Sequence, residues 1–402
     1  MCTVPDSIEI ARAESALRRA DGILPEPTAF ARAHSEGLVA VIRDAIETAG
    51  GWISFARYME LALYAPGLGY YAAGAEKLGA AGDFVTAPEI SPLFARSLAR
   101  QAAQIVAATG GSVLELGAGS GRLAAELLLA LEALEALPDQ YAILEVSADL
   151  KARQRERIAA TAPHLAARAV WLSELPERWR GLVLANEVLD ALPVHLVVND
   201  GARWQERGVS WVGALRWQDN EITAPELAAA LAHLPDSPGY LTEVNLAGPR
   251  LTASLGKMLE SGTLLFIDYG FGRREYYHPQ RAAGTLMCHY RHHAHDDPFF
   301  LPGLQDITAH VEFTAIAEAG IDHGLALQGY TTQARFLLNC GITELVQAVP
   351  AQDTATYLPI VAGVQKLLAP SEMGELFKAL ALGCGVEGPL IGFTAGDLSR
   401  LL

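Results

Sequence analysis

The sequence predicts an α/β fold: a mostly parallel sheet with helices on both faces, an N-terminal helical extension and an antiparallel β/helical insertion. Three observations point there. Residues 112–121, Ser-Val-Leu-Glu-Leu-Gly-Ala-Gly-Ser-Gly, pass from a short apolar run through an acid into three alternate glycines. Apolar runs and helical periodicities then alternate along the chain, as βα units require. Polar residues stand immediately past the apolar runs, at the sheet edge where open α/β folds bind ligands.

The lead-in to about residue 50 is acidic and Ala-rich, with a helix expected near Ser35–Thr48. Ser54 suits the N-cap of a helix Phe55–Leu63, and Pro66-Gly67-Leu68-Gly69 breaks the chain into a loop. A second glycine-rich loop, Gly79–Gly82, leads into Asp83-Phe84-Val85-Thr86-Ala87-Pro88-Glu89-Ile90-Ser91. A helix over Pro92–Ala107, ended by Gly110-Gly111, delivers the chain to the first core strand. There Val113, Leu114 and Leu116 read as buried on both faces, and Gly117, Gly119 and Gly121 permit a turn with unusual dihedrals. Helical spacing of Ala124, Leu127, Leu128, Leu131 and Leu134 follows Arg122 and stops by Pro138.

Beyond the turn, a strand Tyr141–Val146, a helix Ala148–Ala160 and strands Ala169–Leu172 and Leu182–Ala185 continue the alternation. Runs His195–Val198, Arg203–Glu206 and Trp211–Trp217 read as antiparallel strands, with Trp204, Trp211 and Trp217 as cross-strand packing, before helices Pro225–Leu234 and Leu246–Glu260. The core resumes at Thr263–Asp268. Asp306–Ala319 and Thr332–Asn339 read as helices, and Leu325–Gln328 and Leu390–Phe393 as strands. The implied units are a helical region 1–110, a core 111–198, an insertion 199–261 and the rest of the core at 262–402.

With 51% hydrophobic and 19% charged residues over 402 positions, the chain should bury a large core. No apolar run is long enough to span a membrane, and the mixed-charge N-terminus resembles neither a secretory signal nor a transit peptide, so a cytoplasmic location is expected. A net charge of −16 argues against nucleic acid as a partner. Cys2, Cys288, Cys340 and Cys384 are too scattered for a disulfide framework or a zinc site. The Cys288–Asp297 stretch, rich in histidine, matches no standard metal spacing, and no metal is expected. The apolar Leu358–Leu368 region fits a homodimer interface as well as a second core.

The spacing G-x-G-x-G differs from the dinucleotide fingerprint G-x-G-x-x-G, which disfavours a nicotinamide dehydrogenase. Glu115, two residues before the first glycine, suits the cationic amino group of S-adenosylmethionine. Glu145, at the end of the next strand, suits the two ribose hydroxyls. Together they point to S-adenosylmethionine as the cofactor.

The segments 82–91 and 112–121, with Leu144-Glu145-Val146-Ser147, Ala185–Val194, Ile267-Asp268-Tyr269-Gly270 and Asp306–Val311, resemble the MidA-like methyltransferase family, whose mitochondrial relatives are complex I assembly factors. The resemblance covers about Gly51 to Phe393. It implies a class I methyltransferase (Rossmann-like) fold and, by the mitochondrial branch, symmetric dimethylation of a protein arginine. Cofactor contacts would come from Gly82, Asp83, Phe84, Glu115, Gly117, Ala118, Gly119, Ser120, Gly121, Glu145 and Val146, with Asn186 beside them.

An arginine acceptor is planar and always charged, so carboxylates orient it best, through bidentate hydrogen bonds. Glu187 and Asp190, just past the fourth core strand, are the candidates, although acids also favour helix N-termini for dipole reasons. Asp306 and His310, four apart at the start of an expected helix, would share a face, with His310 taking the released proton. A capping Asp and an interior His explain the same pair. A small-molecule methyltransferase and a non-catalytic, cofactor-binding assembly scaffold are the competing functions.

Overall fold

Strands whose residues point alternately to two covered faces must be apolar at every position, and the central strands obey this. In a computed structural model describing residues 24–73 and 86–402, the chain forms sixteen described strands. After β1 (Trp52–Ser54) come β2 (Ser112–Leu116), β3 (Tyr141–Leu144), β4 (Ala169–Leu172) and β5 (Trp179–Asn186). The insertion supplies β6 (His195–Asn199), β7 (Trp204–Trp211), β8 (Leu215–Glu221) and β9 (Leu241–Val244). The long β10 (Leu259–Phe271) returns to the core, followed by β11 (Met287–Tyr290), β12 (His293–His295), β13 (Asp306–Thr308), β14 (Val311–Glu312), β15 (Ala326–Thr332) and β16 (Phe377–Cys384).

The main sheet has the order β15-β16-β10-β5-β2-β3-β4, with β14 paired to the far end of β10. Pairings are parallel except those of β16, which is antiparallel to both neighbours. The chain order reverses between β2 and β5, which places a ligand-binding crevice at their carboxyl ends. Val113, Ile143, Leu182, Leu184 and Ile267 pack on one side under the helices Pro92–Thr109 and Arg122–Ala133. Leu114, Ala142, Val183, Phe266 and Leu380 pack on the other, under the helices Ala247–Met258 and Phe313–Asp322. Parallel pairing is close where β2, β5 and β10 begin: a Cβ on Gly262 would lie 1.9 Å from the Gly181 carbonyl oxygen.

A second, antiparallel sheet has the order β1-β7-β6-β9, with β8 on β7. It therefore includes β1 from the N-terminal region and β6 from the expected core, so its limits differ from the expected 199–261. The helices Ala29–Thr48 and Phe55–Tyr64 pack against it. Trp217, though 39% exposed, packs on Phe299 and Phe55, with ring centres 4.6 and 5.4 Å away. A third sheet, β12-β11-β13, contains the histidine-rich stretch as a hairpin turning at Arg291 and His292. Among the described residues no helix is long and apolar enough to cross a membrane.

The cap at Ser54 falls where expected, accepting from the Arg57 amide; Thr332, expected as the first helical residue, instead caps the helix Gln333–Asn339 and accepts from the Arg335 amide. Three expectations fail. Trp211–Trp217 is a hairpin rather than one strand, because Gly213 turns at φ 72° and pairs Trp211 with Leu215. The expected helix Asp306–Ala319 begins only at Phe313; the preceding residues run extended through β13 and β14, and Glu312 caps the helix. The closing strand is Phe377–Cys384, whereas Ile391–Phe393 is a 3-10 turn.

Glycine positions separate backbone conformation from crowding. Gly262→Ala, at φ 145° against the Gly181 carbonyl, should cost about 3 kcal/mol or more. Gly213→Ala, at φ 72° in open space, should cost only about 1 kcal/mol. Urea unfolding of the two variants measures the difference, and equal losses would contradict the close β5–β10 packing.

Candidate active site

The three glycines after β2 all take left-handed conformations, with φ of 60° at Gly117, 52° at Gly119 and 78° at Gly121. A Cβ on Gly121 would stand 2.9 Å from Gln154 Cα, so the third glycine lets the helix Arg122–Ala133 approach the helix Ala148–Thr161. Ala118 is buried beneath the turn, and the Ser120 hydroxyl donates to Glu89 at 2.5 Å. Glu89 also pairs with Arg122 at 2.9 Å, fixing segment 86–91 to the turn.

Two carboxylates border this turn, as expected. Glu145 accepts from the Ser147 amide at 2.9 Å and from Gln154 Nε2 at 3.0 Å. Val146 beside it is 75% exposed. Glu115 is buried and accepts from the Tyr141 hydroxyl at 2.8 Å; burial, then the Glu145 charge, push its carboxyl up to about 7 against the lowering effect of that hydrogen bond. Gln154 was missed from the sequence. It donates to both Glu145 and the Gly119 carbonyl, and accepts from Trp171 at 2.9 Å. Its signal was present: Gln154 and Ile158, four apart, are the two buried positions of an otherwise polar helix.

Beyond β5 the chain makes a sharp turn around a second missed residue. Asp268 Oδ2 accepts the amides of Val188, Leu189 and Asp190 at 3.1, 2.9 and 3.2 Å, and Oδ1 accepts the Tyr269 amide at 2.9 Å. The turn holds Glu187 at φ 53°, a strained setting for a residue with a Cβ. Glu187 Oε1 accepts from Asn186 Nδ2 at 3.0 Å and from the Ala87 amide at 3.1 Å. Among the described residues, Asn186 Oδ1, Glu187 Oε2 and Asp190 Oδ1 are buried without a partner.

Burial is the main cause that pushes Glu187 up to about 8, with Asp190 and Asp306 adding to it. Burial also raises Asp190 to about 6, while the neighbouring Tyr269 hydroxyl favours its ionised form. Asp306 joins them from β13, where the Tyr71 hydroxyl donates to both of its oxygens at 2.9 and 3.0 Å. The structure therefore gathers Glu187, Asp190 and Asp306, but not by the helical face expected for Asp306 and His310.

His310 stacks on Phe271 at 5.4 Å and meets the edge of Tyr269 at 5.0 Å. Burial, with Arg281 and Lys378 nearby, lowers it to about 4. It is a neutral packing group near physiological pH, and taking up a released proton there is unfavourable. The expected contacts Gly82, Asp83 and Phe84 lie outside the described residues.

The partnerless buried atoms of Asn186, Glu187 and Asp190 are oxygens, so this part of the site suits a ligand that brings donors or positive charge. S-adenosylmethionine fits: Gly117–Gly121 would take the backbone-hugging part, Glu145 the ribose, and Asn186 with Glu115 the cationic end. When bound, it supplies a methyl group activated on a sulfonium.

Residues 97–331 match the family of S-adenosyl-L-methionine-dependent methyltransferases Methyltransf_28. A crystal structure from Burkholderia thailandensis bound to S-adenosyl-homocysteine is 53% identical, with a TM-score of 0.92, covering 94% of this chain and all of that one. Protein arginine methyltransferase NDUFAF7, mitochondrial, of Danio rerio is 30% identical over 82% of this chain and 83% of its own length. The Homo sapiens protein of that name is 28% identical over 83% of this chain and 80% of its own. With the glycine turn and the sheet order, these matches place the chain in the Methyltransf_28 family of S-adenosylmethionine-dependent methyltransferases.

Proposed function

We propose that the methyl acceptor is an arginine of a protein substrate. The supporting observation is the convergence of Glu187, Asp190 and Asp306, two of them with a buried oxygen lacking a partner. A guanidinium offers five N–H donors in one plane and a charge that never dissociates near neutrality. It would satisfy the orphaned oxygens and neutralise the crowded carboxylates together. Methyl transfer needs no covalent nucleophile; holding the nitrogen in line and excluding water supply most of the rate, and the proton that the guanidinium nitrogen loses on methylation passes to the ionised Glu187. The curated relatives carry protein arginine methyltransferase in their names, which agrees with this reading.

Labelled S-adenosylmethionine incubated with cell lysate should place its methyl in the protein fraction, recovered as methylarginine after hydrolysis. Glu187→Gln and Asp190→Asn should each lower that transfer about a hundredfold or more, since the guanidinium loses its orientation. Label confined to small molecules would reject the protein acceptor.

Acceptor binding should also depend on pH. Glu187 and Asp190 titrate near about 8 and about 6 without ligand, and only their ionised forms pair with a guanidinium. The acceptor KM should therefore fall as pH rises from about 6 to about 8.5, because binding expels protons at the lower end. A flat profile would contradict the carboxylate clamp.

The same carboxyl sets a stability trend in the ligand-free protein. Glu187 holds its proton more tightly folded, at about 8, than its ordinary 4.5, so its burial penalty grows as pH rises through that window. Glu187→Gln should raise stability by on the order of 2 kcal/mol above about pH 8, with the gain shrinking toward about pH 5. Thermal melts across pH read this out; a gain independent of pH would point to some other cause.

A further inference from the structure

Two tyrosines not singled out by the sequence border the acceptor acids. Tyr64 ends the helix Phe55–Tyr64, and Tyr71 follows the turn at Pro66–Gly69. Their half-buried rings stack, with centroids 5.5 Å and planes 28° apart. The turn between them is rigid, because the amides of Tyr70 and Tyr71 return to the carbonyls of Ala62 and Leu63 at 2.9 and 2.8 Å.

Both hydroxyls are committed to the acidic cluster. The Tyr64 hydroxyl donates to the Ala191 carbonyl at 2.9 Å, one residue past Asp190, and the Tyr71 hydroxyl holds Asp306. Tyr64 also feels the charges of Asp306, Asp190 and Glu145, so it borders the acceptor acids and the ribose carboxylate together. One face of each ring is taken by the other, and Tyr70 meets Tyr71 in a T-shaped contact at 5.1 Å, so the outer side of half-buried Tyr64, backed by Tyr71, is the aromatic surface left for a planar group. A planar, delocalised cation has an N–H edge for carboxylates and a face for aromatic rings, whereas an ammonium has no face.

We propose that the Tyr64–Tyr71 ring pair forms the wall of the acceptor subsite that selects guanidinium over ammonium, covering its face while Glu187 and Asp190 take its edge. This rests on the arginine reading above. The test uses the full chain loaded with S-adenosylhomocysteine and two probes, Nα-acetyl-arginine amide and Nα-acetyl-lysine amide, with affinities read by ligand-observed NMR.

The wild type should prefer the arginine probe. Tyr64→Leu should weaken that probe roughly 3- to 30-fold while leaving the lysine probe and S-adenosylhomocysteine affinity unchanged. Tyr64→Phe, which keeps the ring, should keep the preference. Tyr71→Leu is a second ring deletion with the same expected loss, should Tyr64→Leu not fold well enough to bind S-adenosylhomocysteine. Arginine preference that survives ring deletion overturns the wall and leaves the arginine reading standing. No preference in the wild type overturns both.

Discussion

The site depends on one carboxylate that never needs to touch a ligand. Asp268 lies within the buried run of β10 and gathers three successive amides from the chain leaving β5. Hydrogen bonds contribute roughly 0.5–1.5 kcal/mol each, and the three together are enough to hold a strained turn. The β5–β10 pairing, which sets Asn186 against Ile267, brings the two strand ends together. Glu187 is forced into a left-handed conformation, and Glu187 and Asp190 emerge on the side where Asp306 and the tyrosines stand. A different residue at 268 would leave three amides unpaired in the interior before any loss of chemistry.

That arrangement stores like charge. Asp190, Asp268 and Glu187 crowd one another out of water, and all three hold their protons above the ordinary carboxylate range. A protein optimised for stability alone would replace them with apolar groups. Their orientation is set before a ligand arrives, so a cation entering meets dipoles and charges that need little rearrangement. The tension between stability and readiness is the expected mark of a functional site.

Legibility from sequence followed the range of the interactions. The glycine turn, Glu115, Glu145 and the cap at Ser54 stand at fixed short spacings along the chain, so local pattern revealed them. Phe377–Cys384 did not: Ala, Leu and Lys favour a helix, yet the slot between β10 and β15 requires a strand. Asp306–Ala319 misled for a related reason. Its spacing allowed a helical face, but pairing with β11 and β10 keeps the first residues extended, and the cap is Glu312 rather than a serine or threonine. Asp268 and the two tyrosines act across tens to hundreds of positions, beyond the reach of local pattern.

The division between legible and illegible follows the molecule's construction. The glycine turn and Glu145, expected to hold the cofactor, follow β2 and β3 at the carboxyl edge of the sheet, where fold topology alone locates ligand sites. Groups on the acceptor side come from three separate places: the turn held by Asp268, the small sheet that carries Asp306, and the helix ending at Tyr64. A parallel sheet of this kind can serve many acceptors, because chemistry at the crevice does not specify what is methylated. Here that choice falls to elements outside the main sheet, packed by Phe55, Tyr58 and the antiparallel strands into a second core. The proposed acceptor site is therefore only as precise as the packing between the two cores, and the Ala309 amide on the Asp190 carbonyl, at 3.0 Å, is one of the bonds that joins them.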